Sequence, residues 1–349
     1  MSNTYVRPAT GAGQLRLHLN ENTAGCSTAV LDAMRALSAQ QVACYPDYDE
    51  AIAAVALNFG VPAESVLLTN GLDEGILGVT AAAFRRRDGL TPDAIGVSPA
   101  FEMYESVVDG LGGRTQLVPL DASFRWSVAD LLARVGAATR IVFVTNPHNP
   151  SGASVPADQL LDLASRVAPA MLFVDEAYAD FSGETLIEPS LLLSHPNMIV
   201  GRTFSKSYGL AGLRIGALVA APETLSPIRR IVPPFSVNAI AAAVLPAALA
   251  DRSRVASYLE ESRRSRQALA DACVRLGLTA YPSTANFVLV NAGARASALV
   301  EALAARGIAV RDKSSSPGCA GCIRITTGTI ADTDRLVAAL EDAWRELHD

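Results

Sequence analysis

Lys206 stands in the segment Ser205-Lys206-Ser207-Tyr208-Gly209-Leu210-Ala211-Gly212-Leu213-Arg214, just past an apolar run at 198–200. A primary amine followed eight residues later by a guanidinium, in a stretch broken by glycines, suits an aldehyde that carries a phosphate. The ε-amine can form a Schiff base with such an aldehyde. Arg214 and the Ser205 hydroxyl can hold the phosphate dianion. The glycines let the backbone turn beneath a ring without a Cβ in the way. A solvated loop lysine can give the same short pattern, so the other polar groups of the chain must decide.

Several of them sit where such a site would need them. Val174-Asp175-Glu176-Ala177-Tyr178 closes an apolar run with a carboxylate, a position that a helix cap or a surface acid can also occupy. Asn146-Pro147-His148-Asn149-Pro150-Ser151-Gly152 reads as a rigid turn that leaves the Asn149 amide able to donate into a pocket. Thr69-Asn70-Gly71-Leu72-Asp73-Glu74-Gly75 leads from a strand into a helix, and the amides at a helix start make a phosphate cradle. Tyr104, in Ser98-Pro99-Ala100-Phe101-Glu102-Met103-Tyr104, offers an aromatic face. Arg311 and Arg324 flank a Ser/Pro/Gly turn, and a buried strand arginine is rarely left without an anion. No role falls to His148, and Glu176 reads as structural.

The elements that must position these residues alternate in type. Helical stretches are expected over 27–39, 49–59, 73–84, 158–167 and 252–276. Apolar runs without polar alternation lie at 66–68, 94–97, 141–144, 171–174 and 198–200. Such runs between helices predict a mainly parallel α/β sheet covered on both faces, with ligands beyond the carboxyl ends of the strands. Strands at 287–290, 308–311 and 323–326, interleaved with helices at 298–306 and 332–347, predict a second, smaller α/β unit. The expected division is a large domain over 46–244, and a small one built from the arm 1–45 with 245–349.

With 349 residues, half of them hydrophobic, the chain exceeds a single core and predicts one large and one smaller domain. A net charge of −6 argues against a nucleic-acid partner. The longest apolar stretch, 239–250, is too short for a bilayer, so a cytoplasmic protein is expected. Cys319-Ala320-Gly321-Cys322 has no second Cys/His pair, reads as a turn feeding a strand, and no metal is expected.

The motifs together, from Leu19-Asn20-Glu21-Asn22 to Gly328-Thr329, resemble those of the fold-type I aminotransferases, and of the histidinol-phosphate aminotransferases in particular. That resemblance implies an aspartate-aminotransferase-like fold and a pyridoxal 5′-phosphate (PLP) cofactor on Lys206. It implies Asp175 at the pyridinium nitrogen, keeping the ring an electron sink, with Asn149 and Tyr178 at the ring oxygen and Tyr104 stacked on the ring. The phosphate falls to the amides of Leu72 and Asp73, to Thr203, Ser205 and Arg214, and to Tyr45 sent from the neighbouring subunit of a homodimer. Arg311 and Arg324, with Asn149, Asn22 and an N-terminal Tyr5, fall to the substrate. The implied reaction moves an amino group from histidinol phosphate to 2-oxoglutarate in histidine biosynthesis. Thr23-Ala24-Gly25 replaces the family's Pro-aromatic-Gly, and the arm before Tyr5 is short. These departures keep an aromatic or specialised aminotransferase as the main rival, ahead of PLP-dependent decarboxylation or oxidation and of a non-catalytic PLP-binding module.

Overall fold

The computed structural model describes residues 13–85 and 88–348, so the expectation for Tyr5 lies outside the described residues. A short strand, β1 (Leu15–Arg16), is followed by seven strands of the main sheet. These are β2 (Val66–Thr69), β3 (Asp93–Ser98), β4 (Arg114–Pro119), β5 (Thr139–Thr145), β6 (Met171–Asp175), β7 (Met198–Thr203) and β8 (Gly216–Val219). Their order across the sheet is β2-β8-β7-β6-β5-β3-β4. All run parallel except β8, which is antiparallel to both neighbours.

The central strands are apolar at every position because helices cover both faces. Val142, Val144, Leu172, Val174 and Val200 join one buried cluster, whereas Ile141, Phe143, Phe173 and Ile199 join another on the opposite face. Each such side chain contributes about 1.5–3 kcal/mol by leaving water. The expected strand positions hold, and each strand extends a residue or more beyond its apolar run. Two strands had no sequence signal: edge strand β4 mixes polar and apolar residues, and β8 spans only Gly216–Val219. The helix expected over 27–39 is two helices, Thr28–Arg35 and Ala39–Ala43, because Ser38 starts the second with a capping box to Gln41. The apolar stretch Ala239–Ala250 is one helix despite Pro246. Among the described residues no helix is long and apolar enough to cross a membrane.

The smaller sheet is built from β9 (Thr279–Ala280), β10 (Phe287–Asn291), β12 (Arg311–Asp312) and β13 (Cys322–Thr326), in the order β12-β13-β10-β9 and antiparallel throughout. The expected single strand at 308–311 is broken in two. Its first half, β11 (Ile308–Ala309), pairs with β1, and its second half, β12, pairs with β13. The buried Val310 lies between them and packs into the small core.

Alternation gives the small sheet two distinct faces. Val288, Val290, Ile323 and Ile325 pack into the core that also holds Leu299, Leu336 and Leu340 of the helices Ala296–Ala305 and Ile330–Glu346. The other face carries Phe287, Leu289, Arg311, Cys322 and Arg324. Phe287 meets Tyr178 edge-on, at 5.0 Å between ring centres, so this second face looks toward the carboxyl ends of the main sheet.

Candidate active site

Three neighbouring main-sheet strands deliver polar residues to one place. Asp175 ends β6, Lys206 follows the end of β7 three residues on, and Asn149 follows β5 by four. Lys206 is half-buried and donates from Nζ to the Leu19 carbonyl at 2.9 Å. Its Nζ lies 6.0 Å from the centre of the Tyr178 ring. Burial, reinforced by the positive charge of Arg324, pushes the ammonium down to about 8. An amine so placed is neutral often enough near neutrality to attack a carbonyl or accept a proton.

Burial has the opposite sign for the acid: it pushes the Asp175 carboxyl up to about 6. Oδ1 accepts from the Ala177 amide at 2.9 Å and Oδ2 from the Tyr104 hydroxyl at 2.6 Å. The Tyr104 hydroxyl also lies 2.8 Å from Thr145 Oγ1, and Thr145 pairs with Asp175 across β5 and β6.

This geometry corrects the expectation that Tyr104 stacks on a cofactor ring. Tyr104 is buried inside the helix Glu102–Gly110, with its ring already stacked on Phe143 at 4.7 Å and 9°. Phe101, one helical turn earlier, caps that helix and is only half-buried. Its place at the turn after β3 was the available signal, since Tyr104 falls on the inward face of the helix.

Tyr178 is buried, and its hydroxyl accepts from Asn20 Nδ2 at 2.9 Å. Asn20 takes a left-handed φ of 55°, and its amide donates to Thr326 Oγ1 at 3.0 Å. Asn149 Oδ1 accepts from Arg324 Nη1 at 2.6 Å, which leaves Nδ2 as its donor. Arg324 also donates to the His18 carbonyl at 2.8 Å, and its guanidinium lies 5.4 Å from the centre of the Phe287 ring. Arg311 pairs directly with Arg324 across the strands and has no ion-pair partner among the described residues.

The remaining expected residues divide into two groups. Leu72 and Asp73 lie in the first turn of the helix Gly71–Ala83, where amides have no helical acceptor. Arg214 reaches them, pairing with Asp73 at 2.9 Å. Gly71 has φ +72° and so close an approach to Arg214 that a Cβ there would stand 2.6 Å from Nη2. Ser205 Oγ is buried with no hydrogen-bond partner, and the Thr203 hydroxyl accepts from the Ser205 amide at 3.2 Å. An orphaned hydroxyl, free helix-start amides and an exposed arginine form a donor set that fits a phosphate.

Two further expectations concern Tyr45, sent from a neighbouring subunit, and Asn22, at the substrate. Tyr45 is 80% exposed and stacked on Phe235 at 4.6 Å. Asn22 donates to the Ser207 carbonyl and accepts from the Ala24 amide, each at 2.9 Å, and lines one cavity with Ser205.

Other polar residues of the motifs are structural. Glu176 is spent on Thr185, the Leu186 amide and Arg202. His148 clips its turn to the Pro99 carbonyl and Ser151, and burial pushes it down to about 4. Cys319 and Cys322 are buried with Phe124 and Leu289. Two residues near the arginines were missed altogether. His18 is buried with neither ring nitrogen hydrogen-bonded, and Lys313 is buried and paired with Glu102.

Residues 12–340 match the family model for aminotransferase class I and II. The chain belongs to the class I and II aminotransferases. It is 37% identical to a histidinol-phosphate aminotransferase of Oleidesulfovibrio alaskensis, over 84% of this chain and 78% of that one. Against the histidinol-phosphate aminotransferase of Symbiobacterium thermophilum the identity is 36%, over 95% and 91%. Among solved structures it resembles histidinol-phosphate aminotransferase from Sinorhizobium meliloti in complex with pyridoxal-5′-phosphate. That likeness has a TM-score of 0.84 and 31% identity, and covers 96% and 91% of the two chains. Aspartate aminotransferase from Thermus thermophilus, at 23% identity and a TM-score of 0.80, shares the fold. The aminotransferase is thus an α/β enzyme of fold type I, with amino acids and keto acids as its substrate class.

Proposed function

We propose that this aminotransferase carries PLP on Lys206 and transfers the amino group of histidinol phosphate to 2-oxoglutarate in histidine biosynthesis. The observation that carries the reading is the pairing of two half-sites across one cleft. Lys206 and Asp175 stand at the ends of adjacent strands, and Arg311 and Arg324 face them from the small sheet. When bound, PLP supplies an electron sink for the bond broken at the substrate carbon.

The chain's own residues do the rest. Asp175 holds the ring nitrogen, and Asn149 Nδ2 and the Tyr178 hydroxyl hold the ring oxygen. Phe101, rather than Tyr104, supplies the aromatic face against the ring. Ser205, Thr203, Arg214 and the amides of Leu72 and Asp73 bind the phosphate, with Tyr45 of a second copy completing it in a homodimer. The exposed Tyr45 and Phe235 pair suits such a contact between copies. Lys206 moves the proton at the substrate carbon, helped by an ammonium already lowered to about 8. Arg324 and Arg311 orient the substrate anion, with Asn149 locking the Arg324 guanidinium. The cofactor half falls to 46–244 and the anion half to 1–45 with 245–349, in a cytoplasmic enzyme.

A single half-reaction tests the proposal. PLP-loaded enzyme is mixed with L-histidinol phosphate and no oxo acid, and the cofactor's absorption is followed. Conversion to the amine form, much faster than with phenylalanine or tyrosine, is expected. Faster conversion by an aromatic amino acid reassigns the substrate, and no conversion by any amine refutes the assignment.

A further inference from the structure

The cationic face of the small sheet is larger than the two arginines. The Lys313 amide donates to the Cys322 carbonyl at 2.9 Å and so prolongs the β12–β13 ladder by one residue. Lys313 therefore lies two residues beyond Arg311, on the same face as Arg311 and Arg324. Residues directly opposite on antiparallel strands lie about 5 Å apart and those two along a strand about 7 Å apart. Three basic residues thus share one face of the small sheet, and both arginines act on the Lys313 charge. Like charges so placed oppose folding unless an anion sits among them.

Lys313 itself pairs with Glu102, whose Oε1 lies 3.3 Å from its Nζ. The two partners differ in setting: the Lys313 side chain is 8% exposed, whereas that of Glu102 is 41% exposed at the start of the helix Glu102–Gly110. Glu102 also follows Phe101 directly, so the ion pair ties the small sheet to the turn after β3. Burial lowers the Lys313 ammonium, and Arg324 and Arg311 lower it further against the pull of Glu102. The lysine is crowded by cations and neutralised from one side only.

We propose that Lys313 is a third cationic contact for a phosphate monoester on the substrate, and that Glu102 is the counter-ion it leaves when that dianion arrives. Lys313 adds a third cation to the face that carries Arg311 and Arg324, and a dianion draws more from that added charge than a single carboxylate does. Lys313 thereby selects for the phosphorylated substrate rather than taking part in proton transfer. The inference rests on the histidinol-phosphate reading above.

The test compares PLP-loaded wild type with Lys313→Met, Lys313→Arg and Glu102→Gln in half-reactions with L-histidinol phosphate and with L-histidinol. Loss of one charge-assisted contact predicts about tenfold weaker binding of the phosphorylated amine by Lys313→Met, with the limiting rate changed less than about twofold. Binding of histidinol stays unchanged, Lys313→Arg restores most of the loss, and Glu102→Gln binds the phosphorylated amine more tightly. Equal weakening for both amines would mean a structural bridge and overturn the proposal, as would unchanged binding by Lys313→Met. Inhibition of the holoenzyme by inorganic phosphate, against whichever amine reacts, is the second readout. It weakens about tenfold in Lys313→Met if the subsite is real. That result would stand even if wild type ignored histidinol phosphate, so the two readings fail separately, and unchanged inhibition refutes the subsite.

Discussion

Replacing Tyr104 by Phe isolates the acid of the site. The variant keeps the ring that stacks on Phe143 and removes only the hydroxyl that donates to Asp175 Oδ2 at 2.6 Å. Asp175 then keeps a single donor, the Ala177 amide. A hydrogen bond to a charged group is worth about 1.5–3 kcal/mol, and its lower end corresponds to about one pKa unit. From its starting point of about 6, the carboxyl should therefore rise toward 7. The probe is pyridoxamine phosphate binding to the apoenzyme, because an amine does not engage Lys206 covalently. Binding to a pyridinium requires the ionised carboxylate, so affinity falls as pH drops through the Asp175 pKa. The variant should bind about tenfold more weakly at pH 5, about twofold at pH 7, and like wild type above pH 8. The ligand phosphate and Lys206 titrate in both proteins and cancel in the ratio. A ratio that does not change with pH, or no weakening at pH 5, would refute the link between Tyr104 and Asp175.

Three further outcomes can be measured, one on the wild type and two on single variants. Lys206→Ala should lose turnover while still binding cofactor noncovalently, and a variant that turns over would remove Lys206 from the reaction. Because burial holds the Lys206 ammonium at about 8, covalent capture of PLP by wild type should speed up as pH rises from 7 to 9, and a flat profile contradicts that setting. Gly71→Ala forces a Cβ to within 2.6 Å of Arg214 at a φ of +72°, with about 1–2 kcal/mol of backbone strain. Cofactor affinity should drop about tenfold or more, read by equilibrium dialysis, whereas unchanged affinity would detach this turn from the phosphate.

What the sequence made legible was the set of polar residues that end buried strands. Asp175 could be read because it closes an apolar run, and Lys206 because an amine followed eight residues later by Arg214 suits an aldehyde that carries a phosphate. Arg324 was visible for the related reason that it interrupts Ile323 and Ile325. The failures share a different physics. Choosing between Phe101 and Tyr104 requires knowing where a helix begins, since one turn separates a residue facing the cleft from one facing the core. Lys313 carries no sequence signal at all: its place beside the arginines comes from the β12–β13 register, which is set by pairing between strands and not by local pattern. His18 and Asn20 depend on the first segment threading beside β13, a contact across about 300 residues of chain. The cofactor half of the site is therefore written mainly in strand ends. The anion half is written in pairing between distant segments, which is why its third cation emerges only from the fold.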